Sequence, residues 1–326
     1  MIAGLSPKGD GTKRILCRRW RALRHDIIRC RGPKPILSMD LDIESIEMIK
    51  ELIYRRSHLS FPESRDMQLR RRLMQRLEDG PYGSLEEYHR ILCAEDAEFT
   101  RLLSLITTKE TYFFRMPEQF EALRDTVLPG IVDREGRKAM SVLAGGGQYR
   151  MRLRAWSAGC STGQEAYSLA MQILDTIRYP KAWDMKVIGT DINSDVIEIA
   201  KKGVYDTMRL GKTPSEFVQR FLKIISTDMV QVSDDVREIT EFRVFNLKNL
   251  SEAADFRGFF DIIFCRNVMI YFDFEAQQRL VNGLVECLRP GGCLFTGEGE
   301  VLHLYRHSLE VVEKGACIFY RKTEGL

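Results

Sequence analysis

Apolar residues recur at helical spacing through the first third of the chain. Ile46, Ile49, Leu52 and Ile53 fall on one helical face and follow acidic residues suited to a helix N-terminus. A second helix is predicted from about Ser64 to Leu77, stopped by Asp79-Gly80-Pro81. A third starts at Ser84, where Ser-x-x-Glu to Glu87 has the form of a capping box, and helical pattern continues through Leu102, Leu103 and Ile106. Residues 39–108 therefore read as a small helical domain. Residues 109–148 read as a linker and one more helix, with 141–148 as a surface loop.

After Arg150 the period changes. Leu153–Ser157 reads as a strand that turns through Gly159-Cys160-Ser161-Thr162-Gly163 into a helix carrying Ala166, Leu169, Ala170, Ile173 and Leu174. Lys186–Thr190 is a second strand ending in Asp191, and Asn193-Ser194-Asp195 opens another helix. Strands follow at Glu241–Phe245, Phe260–Cys265 and Gly292–Thr296, with a helix ending across Leu288–Gly292 and a final hairpin turning at Lys314-Gly315. Alternating strands and helices imply an α/β fold, a doubly wound, mainly parallel sheet at residues 149–323, with a small β insert at about 203–245.

Charge adds a feature the pattern does not show. The net charge is +3, but residues 1–38 alone carry a net +8, leaving −5 for the rest. That arm reads as a disordered basic leader, upstream of an alternative start at Met39. A nucleic-acid or lipid-binding arm is the rival reading. It lacks the apolar stretch of a secretory signal, and no uncharged apolar run approaches the roughly 20 residues of a membrane span. The eight cysteines form no C-x-x-C pair and no zinc spacing, so no metal is expected, and the compartment is read as the reducing cytoplasm.

In doubly wound sheets ligands bind beyond the C-terminal strand ends. The glycine turn 159–163, Asp191, Asn246 and Arg266-Asn267 all fall there. Glycines let a ligand approach the backbone, and a carboxylate after the second strand can accept both hydroxyls of a ribose. A nucleoside-containing cofactor follows. The same turn also matches G-x-S-x-G, the nucleophile elbow of serine hydrolases, with His303 or His307 as candidate partners of Ser161. A dehydrogenase is disfavoured, because the spacing is not G-x-G-x-x-G.

Three segments together resemble the chemotaxis receptor methyltransferases, the CheR family: Thr107-Thr108-Lys109-Glu110-Thr111-Tyr112-Phe113-Phe114-Arg115, Trp156–Ser168 across the glycine turn, and Phe264-Cys265-Arg266-Asn267-Val268-Met269-Ile270-Tyr271-Phe272. They stand in the family's order, and the resemblance covers roughly residues 40–323. It implies an S-adenosylmethionine-dependent protein-glutamate O-methyltransferase, with S-adenosylhomocysteine as product.

By position, the resemblance makes Thr111, Arg115, Gly159, Glu165, Asp191, Asn246, Leu247, Asn267 and Val268 cofactor contacts. Arg115 and Tyr271 would face the methyl group, and the segment bearing Thr111 and Arg115 would close over the cofactor. Lys109 stands where the family commonly has Asn, while Gln164 and Ala166 replace the commoner Glu and Pro. In the second helix Arg65, Arg72 and Arg76 lie within about 40° of one another and form the expected receptor-recognition face. The partner implied is the cytoplasmic helical bundle of a methyl-accepting receptor, with no nucleic acid, no membrane insertion and a monomeric enzyme. Because the insert has no glycine from Lys212 to Arg257, tethering to a receptor's C-terminal peptide is doubtful. A non-catalytic adaptor of the same family is the alternative from another functional class.

Overall fold

A computed structural model describes residues 42–107 and 110–323; the basic leader and Lys109 lie outside the described residues. Four helices open the described residues: α1 (Ile43–Ser57), α2 (Glu63–Asp79), α3 (Leu85–Ala94) and α4 (Asp96–Ile106). The stripe of Ile46, Ile49 and Ile53 is fully buried, together with Leu69, Leu73, Tyr88 and Leu102 from the other three helices. Ser84 caps α3 by accepting the Glu87 N–H at 3.2 Å, but Glu87 reaches back to Gly83 N instead of Ser84 N, so the capping box closes one residue early.

α5 (Pro117–Ala122) runs through a π-helical stretch, Leu123–Val127, into α6 (Leu128–Ala144). Pro129 lacks an N–H, and the wider π-turn, with Leu128 N bonded to Leu123 O, absorbs it without breaking the helix. This corrects the expected loop at 141–148. Residues 141–144 complete the helix, and the turn begins only at Gly145.

The sheet domain comprises β1 (Met151–Ala158), α7 (Gln164–Thr176), β2 (Trp183–Asp191), α8 (Ser194–Lys202), β3 (Val204–Asp206), α9 (Ser215–Phe221), β4 (Leu222–Ile224) and β5 (Met229–Val232). There follow α10 (Asp234–Glu238), β6 (Thr240–Val244), β7 (Phe260–Cys265), α11 (Phe274–Cys287), β8 (Leu288–Thr296), β9 (Leu309–Lys314) and β10 (Cys317–Lys322). Seven strands form one sheet in the order β6-β2-β1-β7-β8-β10-β9, parallel except for the pairings of the closing hairpin. The β insert is shorter than expected. It spans β3 to β5 as a separate three-stranded antiparallel sheet, whereas β6 returns to the main sheet as its edge.

Strand alternation builds two cores. Leu153, Ala155, Ile262 and Phe264 face one side with the helix α7; Trp156, Ala158, Ile263 and Cys265 face the other with α11. The chain order reverses between β1 and β7, so the crevice beyond their C-terminal ends is where such a sheet takes a ligand.

Candidate active site

The cleft lies at that crevice and has two chambers, of about 110 and 200 Å³, which share Gly159, Ser161, Asn267 and Tyr271. The first is bounded by Asp191, Asn246, Leu247, Val268 and the apolar side chains of Ile192, Val196, Phe245 and Phe272. The second is more polar, with Glu110, Thr111, Arg115, Glu165 and Arg266. All ten residues expected to touch the cofactor or methyl group therefore come together, from segments spread over 160 positions of the chain.

Each is held there by local chemistry. Gly159 has φ +82° and a Cβ on it would stand 2.4 Å from Val268 Cγ2, so only glycine lets the loop after β7 pack on the loop after β1. Asp191, at the end of β2, accepts the backbone N–H of Ser161 at 2.9 Å and of Asn193 at 3.0 Å. It thereby holds Ser161 at φ +50°, an uncommon conformation for a residue with a Cβ. Glu165 accepts from Ser157 Oγ at 2.6 Å and from Arg266 Nε at 2.7 Å. Arg266 is almost wholly enclosed and also donates to the carbonyl of Arg115 and to Gln119 Oε1.

The segment before the sheet domain is anchored on it. Phe113 and Phe114 are buried in the core, Phe114 N donates to Ser168 Oγ, and Phe113 N donates to the carbonyl of Arg209 in the insert. Thr111 is buried and Arg115 donates to the carbonyl of Glu110 at 2.9 Å. The helical domain adds a wall that the sequence pattern did not reveal. Ser57, Leu59 and Thr107 line the first chamber, Leu59 bridges Phe272, and Ser60 N donates to the carbonyl of Tyr271. Asn246 lines the first chamber while its amide is engaged by its neighbours. Nδ2 donates to the carbonyl of Arg56 and Oδ1 accepts Lys248 N, which ties β6's loop to α1.

The three arginines of α2 separate. Arg65 lies with its guanidinium carbon 5.1 Å from the Tyr271 ring centroid. Arg72 donates only to Gln75, one turn along its own helix. Arg76 is a correction: it turns inward and forms two bonds, 2.6 and 2.8 Å, to the buried carboxylate of Glu98. Glu98 was not foreseen as its partner because the pair spans 22 residues between two helices.

Ser161 Oγ, Asn193 Nδ2 and Asn267 Oδ1 all line the first chamber, are buried, and have no hydrogen-bond partner in the protein. An unpaired buried polar group costs about 1–3 kcal/mol, so three around one chamber fit a polar ligand. Asp191 beside them offers a charged acceptor at the place a ribose requires, and Glu165 with Arg115 offers both charges for an amino-acid end. The residues present thus fit S-adenosylmethionine. The hydrolase alternative finds no base among the described residues: none lining either chamber is a His, and His303 is exposed. Cys160, which lines the second chamber, has its thiol pushed well above the usual range by burial and then by the Asp191 and Glu165 carboxylates, so it stays protonated and unreactive.

Comparison with known proteins agrees with this geometry. Residues 109–317 match the profile of the CheR methyltransferase SAM-binding domain, and residues 44–107 that of the CheR methyltransferase all-alpha domain. Chemotaxis protein methyltransferase 2 of Pseudomonas aeruginosa is 33% identical, over 79% of this chain and 86% of its own. Chemotaxis protein methyltransferase 1 of the same organism is 36% identical, over 68% and 76%. The chemotaxis protein methyltransferase of Escherichia coli is 32% identical, over 77% and 82%. With its helical domain, its switch-point cleft and a fit to S-adenosylmethionine, the chain belongs to the CheR methyltransferase family.

Proposed function

We propose that this chain methylates glutamate side-chain carboxylates of a chemotaxis receptor, forming methyl esters. The observation that carries the reading is the polar chamber, where Arg115 and Tyr271 face a cavity with no His or Lys among the described residues of its lining. A glutamate side chain has an ordinary pKa of about 4.3 and is already ionised at neutral pH, so the acceptor needs no base. The names of these relatives, chemotaxis protein methyltransferases, support methyl transfer in chemotaxis.

S-adenosylmethionine supplies an electrophilic methyl group on a sulfonium. The chain's own contribution is placement. Arg115 gives one donor to Glu110 and keeps others for a carboxylate, in a fork that suits bidentate pairing. Tyr271 stands where the two chambers meet and positions the attacking oxygen. Alignment of this kind can contribute on the order of 7–11 kcal/mol. No acid is required, because the opposite charges of donor and acceptor cancel as the bond forms.

The test is methyl transfer from radiolabelled S-adenosylmethionine to a purified receptor cytoplasmic fragment. Label released as methanol by mild base supports the reading. Base-stable label, or none from a protein that binds S-adenosylhomocysteine, rejects it. Arg115→Ala should lower kcat/KM for the receptor by about 10–100-fold, and a change below about threefold would remove Arg115 from the mechanism. Arg65→Glu combined with Arg72→Glu should raise the receptor KM by about tenfold or more, through like-charge repulsion of an acidic helix, and leave S-adenosylhomocysteine affinity within about threefold. Equal losses in both would mean that α2 supports the cleft and does not read the receptor.

A further inference from the structure

Behind the loop that follows β7 lies a carboxylate with no part in the chemistry described above. Glu300 is four residues past β8 and only 5% of its surface is exposed. Its Oε2 accepts the backbone N–H of Asn267 at 2.6 Å and of Gly297 at 2.8 Å; its Oε1 accepts that of Ile270 at 3.2 Å. Burial pushes its pKa up, and the backbone N–H bonds from Asn267, Gly297 and Ile270 work against that rise.

The loop it grips is the one that carries Asn267 and Tyr271. Asn267 has φ +57°, a left-handed conformation that Asn takes more readily than most residues with a Cβ, and the chain then closes in a single 3₁₀ turn, Met269–Tyr271. The packing at Gly297 is tight. A Cβ on Gly297 would stand 2.4 Å from Glu300 Oε2 and 2.7 Å from Asn267 N. An amide could accept on its one oxygen only, whereas a carboxylate accepts on both, Asn267 and Gly297 on one and Ile270 on the other.

We propose that Glu300 is the positioning residue of methyl transfer: it clamps the loop Asn267–Tyr271 so that Asn267 and Tyr271 are presented to the cleft together. Glu300 touches neither cofactor nor acceptor. The inference rests on the reading of this cleft as the methyl-transfer site.

The test uses the full chain with Glu300→Gln, which fills the same volume but places an N–H₂ against one of the loop's N–H groups, and with Glu300→Ala. Gly297→Ala is a second variant, which crowds both the carboxylate and Asn267 without changing the charge of Glu300. Receptor methylation kinetics, S-adenosylhomocysteine affinity and thermal melting are measured on each. Glu300→Gln and Gly297→Ala should each lower kcat by about 10–100-fold, well beyond any loss of S-adenosylhomocysteine affinity, because a misplacement of about 1 Å can cost that much. Glu300→Gln, keeping one acceptor, should recover part of what Glu300→Ala loses. Turnover within about threefold of wild type in either Glu300→Gln or Gly297→Ala would overturn the proposal, as would a kcat loss no larger than the loss of affinity. Should Glu300→Gln fail to fold, Gly297→Ala decides. A wild-type protein that binds S-adenosylhomocysteine yet methylates no receptor would instead remove the functional reading beneath it.

Discussion

Asp191→Ala is expected to weaken S-adenosylhomocysteine binding about a hundredfold, read by calorimetric titration of the folded protein. Two charge-assisted bonds to ribose hydroxyls would supply about 1.5–3 kcal/mol each, offset in part by desolvation of the carboxylate. The substitution also removes what holds Ser161 in its left-handed conformation, since Asp191 accepts the Ser161 and Asn193 N–H groups. The two contributions separate in Asp191→Asn. Its amide oxygen still accepts from one of these N–H groups, so the turn is partly kept while the charge is gone, and a loss of about tenfold is expected. If Asp191→Ala binds within about threefold of wild type, the ribose lies elsewhere in the cleft.

Asp191 was legible in the sequence because its place follows from strand periodicity. A buried parallel strand reads as an apolar run, its C-terminal end can be counted, and the residue just beyond it faces the crevice. The same reasoning placed Gly159 and Asn267, and the two faces of β1 and β7 alternate as the pattern requires. Features built by contact between distant segments were not legible. Asn246 sits at a strand end like the others, yet its amide serves the helical domain, because α1 ends against that loop. Arg76 shares a helical face with Arg65, but periodicity gives no sign of Glu98 waiting beneath it. The first chamber's wall of Ser57, Leu59 and Thr107 depends on how the helical domain docks, which no local pattern encodes.

Arg266 is the sharpest case of that kind, and it carries the second large effect. Arg266→Met is expected to lower stability by about 3–5 kcal/mol in urea unfolding, the usual result of stripping one partner from a buried ion pair. The Arg266 side chain is 1% exposed and that of Glu165 13%, so the carboxylate left behind would be only partly rehydrated, through the chamber it lines. The Arg115 carbonyl and Gln119 Oε1 would lose their donor as well. Glu165→Gln placed on top of Arg266→Met should restore most of the stability, because removing both charges of a buried pair is often close to neutral. Cofactor affinity should behave differently. If the pair exists to present Glu165 as an anion to the amino-acid end of the cofactor, the double variant stays weak in S-adenosylhomocysteine binding by about tenfold or more while folding normally. Recovery of both stability and affinity would instead make Arg266 and Glu165 a packing device, with the charges in the cleft supplied by Asp191 and Arg115 alone.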